Sequence, residues 1–215
     1  MAECNYDDLG YSGLSKRIFA AWYDLLNTSV EHRVVPHRKE TAGLACGEVL
    51  EIGGGTGANL TFYPSDVQLT FIEPNLHMAR RLRRKASNLG IPIKLIPAFG
   101  ENIPIQDGTF DTVVTTLVLC MVNDVYQVLA EIRRVLKPSG RFLFYEHVVS
   151  NHEFTRFGQA LLNPLWKFVT TGCNLNRDIT RDIKRAGFSH VDITRFSLSV
   201  GLPVTIPNII GVATT

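Results

Sequence analysis

Glu48 to Leu60 reads EVLEIGGGTGANL. Val49, Leu50 and Ile52 form a short apolar run, the mark of a strand buried on both faces. Gly53, Gly54, Gly55 and Gly57 follow at once, with Thr56 among them. They allow a tight turn and let a ligand approach bare backbone. Ala58, Asn59 and Leu60 then read as the opening of a helix, whose first N–H groups have no partners of their own. Strand, glycine turn and helix start make the nucleotide cradle of an open, doubly wound α/β sheet. Gly53, Gly55 and Ala58 satisfy the loose dinucleotide spacing G-x-G-x-x-A. Glu51 argues the other way: a carboxylate at the strand end repels a pyrophosphate and suits an ammonium group.

The run Val49-Leu50-Glu51-Ile52-Gly53-Gly54-Gly55-Thr56-Gly57 resembles motif I of the class I S-adenosylmethionine-dependent methyltransferases, roughly [VL]-L-[DE]-[VIL]-G-x-G-x-G. The resemblance implies a Rossmann-like α/β fold: a doubly wound, seven-stranded, mostly parallel sheet with an antiparallel last strand. It implies S-adenosyl-L-methionine as cofactor, with Glu51, Gly53, Gly55, Gly57 and Asn59 around it. That ligand carries a sulfonium and an ammonium and no phosphate, in keeping with Glu51.

A chain of 215 residues can bury a full α/β core. A formal charge of +2 gives no global field for nucleic acid. Cys4, Cys46, Cys120 and Cys173 are scattered, with no C-x-x-C and no paired His/Cys spacing, so no metal site is expected. Scattered cysteines behind a start that resembles no targeting segment point to a reducing, cytoplasmic setting. No apolar stretch is long enough to span a bilayer, which leaves peripheral contact as the route to a membrane.

Ile18, Ala21, Trp22, Leu25 and Leu26 recur at helical spacing. The segment Ile18 to Asn27 is similar to the F-x-x-x-A-x-x-Y-D-x-x-N segment that precedes the domain in small-molecule methyltransferases. The resemblance makes Tyr23 a lid over the cofactor; plain packing is its other reading. A second helix is expected over 30–44, with Pro36 near its first turn or as a kink. Residues 1–45 thus read as an amino-terminal helical cap, and 46–215 as the cofactor-binding domain.

The helix after the glycines should end near Tyr63-Pro64-Ser65, before a second strand over Gln68–Ile72. Glu73 closes that strand about 20 residues past the glycines, placed to accept both ribose hydroxyls, with Pro74 and Asn75 beside it. A helix over 75–88 carries a basic cluster, Arg80 to Lys85, which reads as a solvated face or, failing that, a patch for nucleic acid or anionic lipid. Ile93–Ile96 is the third strand. Ala98-Phe99-Gly100-Glu101-Asn102-Ile103-Pro104 resembles the family's G-D-A-E-x-L-P motif, with Phe99 in place of the aspartate that holds adenine. Phe99 can pack on the adenine face, Gly100 sits beside it, and Glu101 reads as a structural hydrogen-bonding residue.

Phe110 to Leu117 is the fourth strand, matching F-D-x-V, so Thr116 and Leu117 should edge the cofactor. Cys120 should face the methyl-transfer cavity or lie beneath it as a small apolar filler. A helix over 123–136 and a fifth strand over 141–145 follow, delivering Glu146 and His147. His147 reads either as a base aimed at the cavity or as a buried histidine holding loops. Residues 150–176 form an insertion in which Phe154, Phe157, Leu161, Leu165 and Phe168 recur at helical spacing beside Trp166, with Pro164 expected to end or kink the helix. The stripe either packs on the sheet edge or forms a greasy lid for a lipophilic substrate. Asn174 could touch substrate or close that lid. A helix over 176–186 and two edge strands, 191–196 and 209–213, complete the chain.

Gly55-Thr56-Gly57-Ala58-Asn59, Gly100-Glu101-Asn102, Thr116-Leu117-Val118-Leu119-Cys120, Tyr145-Glu146-His147-Val148 and Gly172-Cys173-Asn174-Leu175 together resemble the methyltransferase-like alkyl-thiol methyltransferases. The resemblance implies S-methylation of a small, lipophilic thiol. Phospholipid or amine N-methyltransferases and quinone-type C/O-methyltransferases share much of the pattern. An NAD-dependent oxidoreductase would need a tyrosine–lysine pair or a second domain, and the sequence offers neither. A cofactor-binding protein without activity is the third class.

Overall fold

The computed structural model describes residues 6–11, 13–170, 172–199 and 205–215; inside the first helix, side chains 22–31 are not among the described ones. Tyr23 therefore lies outside the described side chains. Seven strands form one sheet: β1 (Glu48–Ile52), β2 (Gln68–Ile72), β3 (Ile93–Ile96), β4 (Phe110–Thr116), β5 (Leu136–His147), β6 (His190–Ser199) and β7 (Thr205–Thr214). Their order is β3-β2-β1-β4-β5-β7-β6, and β7 runs antiparallel to both of its neighbours. The order reverses between β1 and β4, which pair in parallel through Leu50 and Val113, so the crevice beyond their carboxyl ends is the natural ligand site.

Side-chain alternation explains why these runs are apolar throughout. Leu50, Ile52, Ile72, Val113, Phe142 and Phe144 enter one core layer, while Val49, Leu69, Phe71, Val114 and Leu143 enter the layer on the opposite face. Among the described residues five α-helices flank the sheet: α1 (Leu14–Lys39), α2 (Leu76–Leu89), α3 (Val125–Val135), α4 (Glu153–Val169) and α5 (Ile179–Arg185). Asn75 caps α2, its Oδ1 accepting from the His77 and Met78 N–H groups, and Gly90 ends it at φ 68°.

The last two strands are longer than expected, and four larger departures from the sequence reading stand out. The expected helix over 30–44 does not exist separately; α1 runs unbroken to Lys39 with Pro36 inside it, giving up one backbone bond. No regular helix follows the glycines. Gly57 has φ 81°, which an α-helix does not accept, and the chain advances by tight turns: Gly57 N to Gly54 O, Leu60 N to Gly57 O, Phe62 N to Asn59 O. β5 starts early, at Leu136, with a register shift opposite Phe110 and Thr112. α4 passes through Pro164 to Val169.

The apolar stripe of α4 does not pack on the sheet edge. Phe154 is 91% exposed and Phe168 83%, and Phe157, Leu161 and Leu165 share that outward face. Among the described residues no helix is long and apolar enough to cross a membrane.

Candidate active site

A cleft opens at the carboxyl ends of β1, β2 and β4. Gly53 and Gly55 form its floor, at φ 67° and 55°, backbone conformations that side chains with a Cβ seldom take. A Cβ on Gly53 would stand 2.6 Å from Val118 Cγ2. Glu73, from the end of β2, lines the cleft and is 5% exposed. Its Oε2 accepts the Gly55 N–H at 2.8 Å and its Oε1 the Asn75 N–H at 2.8 Å. Burial pushes its carboxyl up to about 7, and those two N–H groups pull it back toward the charged form.

Pro74, Asn75, Phe99, Gly100, Glu101, Thr116 and Leu117 line the same cleft. Phe99 and Tyr11 meet at right angles, ring centroids 5.4 Å apart. Glu101 Oε1 accepts the Asn123 N–H at 2.7 Å, the structural role its position suggested. Leu117 sits at φ 57°, an uncommon place for a branched side chain, and its N–H reaches Tyr145 O at 2.8 Å. Tyr11, Lys16 and Phe19 close the opening from the amino-terminal side.

Glu51, Gly57 and Asn59 do not line the cleft. Glu51 was expected to meet the cofactor's amino group; its carboxylate is instead taken by protein. Oε1 accepts from Asn59 Nδ2 at 2.9 Å and Oε2 from the Tyr63 hydroxyl at 2.6 Å. Asn59 also donates to Thr116 Oγ1 and accepts from Arg38 Nη1 at 2.7 Å. Burial raises the Glu51 carboxyl to about 7, against Tyr63 and Arg38. These residues brace the cradle from behind. A Cβ on Gly57 would meet Leu60 and Leu82 in the core layer under the turn.

Of the two readings of His147, at the end of β5, the structure carries the buried histidine and not the base aimed at the cavity. It is buried, does not line the cleft, and its Nε2 lies 2.7 Å from Cys173 Sγ. Cys173 Sγ stands 3.6 Å from Cys120 Sγ and accepts from Trp166 Nε1 at 3.2 Å. The scattered cysteines were read as giving no metal-type cluster; folding gathers Cys120, His147 and Cys173 with ligand atoms within 4.8 Å of one another. The hydrogen bond to Cys120, and after it the imidazole, hold the Cys173 thiol low. The same sulfur–sulfur contact and burial push the Cys120 thiol up. Burial opposes the imidazolium, and the Cys173 sulfur outweighs it, so His147 is raised.

Asn174 does not line the cleft. Its amide donates to Cys120 O at 3.1 Å and Gly172 O at 3.0 Å, and its N–H reaches Cys120 O at 2.9 Å. Phe157 points outward from α4 and joins no part of the cleft. The residues missed from sequence are Tyr11, Lys16, Phe19, Arg38, Tyr63, Glu146 and Cys173. Glu146 carried a signal: a carboxylate closing the apolar run FLFY. It is fully buried and accepts the Val118 and Leu119 N–H groups, each at 3.1 Å, which fixes the loop after β4. Cys173 carried none, since 53 residues separate it from Cys120.

Known proteins resemble this chain in sequence and in fold. A family model described as "Methyltransferase domain" matches residues 50–144. Human thiol S-methyltransferase TMT1A is 37% identical over 77% of this chain and 69% of its own length. Rat thiol S-methyltransferase TMT1B is 40% identical over 67% of this chain, which spans 61% of that relative. Among solved structures, an S-adenosylmethionine-dependent methyltransferase from Thermotoga maritima superposes with a TM-score of 0.69 at 19% identity, covering 92% of this chain and 97% of its own, a likeness of fold.

Proposed function

Because the chain belongs to the S-adenosylmethionine-dependent methyltransferases, in the group that holds the thiol S-methyltransferases, we propose that it moves the methyl group of S-adenosyl-L-methionine to a small, lipophilic thiol. The observation that carries the cofactor reading is Glu73: a buried carboxylate, fixed by two backbone N–H groups, on a cleft floored by left-handed glycines. Its remaining lone pairs suit ribose hydroxyls. Gly53 and Gly55 let the ligand lie against backbone, and Phe99 offers an aromatic face to adenine.

When bound, the cofactor supplies an electrophilic methyl group and its own leaving group. The protein's part is alignment and exclusion of water. Tyr11, Phe19, Met78 and Met121 give the cleft its dry wall. Leu117, held in its strained conformation by Tyr145 O, sets the edge against which donor and acceptor are lined up. A thiol is the most readily ionised of the neutral acceptors considered, the cysteine thiol having a pKa of about 8.5. His147, with Nε2 already engaged, serves on the acceptor side as a positioning residue for Cys173 and not as a free base.

Calorimetry separates the cofactor reading from its rival: S-adenosylmethionine should bind and NAD should not. A methyl-transfer screen over alkyl thiols, amines, phenols and phospholipids then tests the acceptor, with thiols expected to turn over fastest. Binding of NAD alone, or turnover of amines with none of thiols, would overturn the reading.

A further inference from the structure

Cys120, His147 and Cys173 come from three separate segments: the loop after β4, the last residue of β5, and the loop after α4. We propose that they form a zinc site of Cys2His type, with a fourth position left for an exogenous ligand. Two thiols and an imidazole are soft-to-borderline donors, the set that selects zinc over magnesium or calcium. The spacing is close to what the ion requires. Zinc holds each sulfur at about 2.3 Å, so two sulfurs on a tetrahedral ion stand about 3.8 Å apart; here they are 3.6 Å apart. The matching nitrogen–sulfur edge is about 3.6 Å, so the His147 ring, now 2.7 Å from Cys173, withdraws by a small rotation as the ion enters.

The surroundings are those of a built site. All three residues are buried. Trp166 Nε1 donates to Cys173 Sγ, the kind of outer hydrogen bond that steadies a metal-bound thiolate. Asn174 ties the backbone of Cys120 to that of Gly172, and Asn163 Oδ1 holds the Leu175 N–H at 2.7 Å, so the two cysteine loops are locked together before any ion arrives. Glu146, next to His147, anchors the loop that carries Cys120.

Three protein ligands with one open position is the count of reactive zinc sites, whereas structural sites close with four. Met121, the neighbour of Cys120, lines the cleft, so the site stands one residue behind its wall. A thiol entering as the fourth ligand gives its proton to solvent and stays as a zinc-bound thiolate. That last step rests on the thiol reading above; the metal site itself does not.

The test uses the full chain, reduced and handled without oxygen. After equilibration with zinc and removal of loosely held metal, elemental analysis should find about one zinc per chain. Cys173→Ser and His147→Ala should each bring that to near zero, while Cys46→Ser, an exposed cysteine outside the cluster, should leave it unchanged. Should the variants fail to fold, cobalt in the wild-type chain decides alone: thiolate-to-cobalt charge transfer with intense tetrahedral bands is expected. A chain that takes up neither metal, or takes up zinc equally well with Cys173 replaced, overturns the site. Adding an alkyl thiol should shift the cobalt spectrum; an unmoved spectrum overturns the open position. Metal uptake without thiol methylation would sink the proposed function and leave the site standing.

Discussion

The glycine cradle and the Cys120–His147–Cys173 cluster lie on neighbouring strand ends of one sheet and are made in opposite ways. The cradle is a backbone site. Gly53 and Gly55 act through backbone conformation, Glu73 locks the turn by accepting the Gly55 N–H, and the residues that make its floor lie close together in sequence. The cluster is a side-chain site, assembled from positions 120, 147 and 173 only once β4, β5 and α4 have docked. A site built from adjacent backbone announces itself as a motif; a site built by tertiary packing does not.

The contrast can be broken at the cradle first. Gly53→Val forces a β-branched residue to φ 67° and sets its Cβ 2.6 Å from Val118. Cofactor affinity should fall by at least about 100-fold, with unfolding free energy lowered by about 1–3 kcal/mol. Calorimetry and urea titration read the two separately, and near-normal affinity would mean the floor is not where the ligand lies.

Glu73→Gln should weaken the cofactor by about 10–100-fold, the range for losing hydrogen bonds to a charged group. The pH dependence sharpens this. Wild-type affinity should rise as pH passes upward through about 7, where Glu73 ionises, and the variant should be flat. Stability runs the other way. Glu73 and Glu51 have folded pKa values raised to about 7, so the folded chain holds their protons more tightly than the unfolded one. Their contribution favours the fold below the ordinary carboxylate range and is lost as pH rises through about 7. A stability that climbed over that window in wild type but not in Glu73→Gln would reverse the assignment.

Tyr63→Phe removes one bond to the Glu51 carboxylate and should cost about 1–3 kcal/mol by chemical denaturation, with cofactor affinity changed far less. A large affinity loss would move Glu51 back into the cleft. The smallest effect is expected on α4. Leu165→Glu, on an exposed face, should shift stability by no more than about 0.5 kcal/mol in a thermal melt. A larger loss would mean that this face is covered.

Strand placement was highly legible. Strands Gln68–Ile72 and Ile93–Ile96 were bounded correctly: the first is buried along most of its length, and the second is an edge strand whose three isoleucine and leucine side chains stand around an exposed Lys94. Gly53, Gly55, Glu73, Phe99, Gly100, Thr116 and Leu117 all meet in one cleft. The helix expected after the glycines was misread because Gly57 needs a positive φ, which periodicity does not reveal. Glu51 and Asn59 were misplaced for a different reason. A motif fixes where a residue stands on the strand, and only the partners it finds, here Tyr63 and Arg38, fix which way its charge is spent. Cys173 was invisible, since its chemistry comes from residues 26 and 53 positions away.

Arg38 sits in the last turn of α1 and bonds to Asn59, which in turn holds Glu51 and Thr116. The seam between the leading helix and the sheet is therefore stitched through position 38, ahead of any boundary drawn at the first strand. Grafting a foreign leader onto β1, or trimming this one away, would strip a guanidinium from the spine of the cofactor loop. An exchange of leaders between relatives should succeed only when that arginine travels with the sheet.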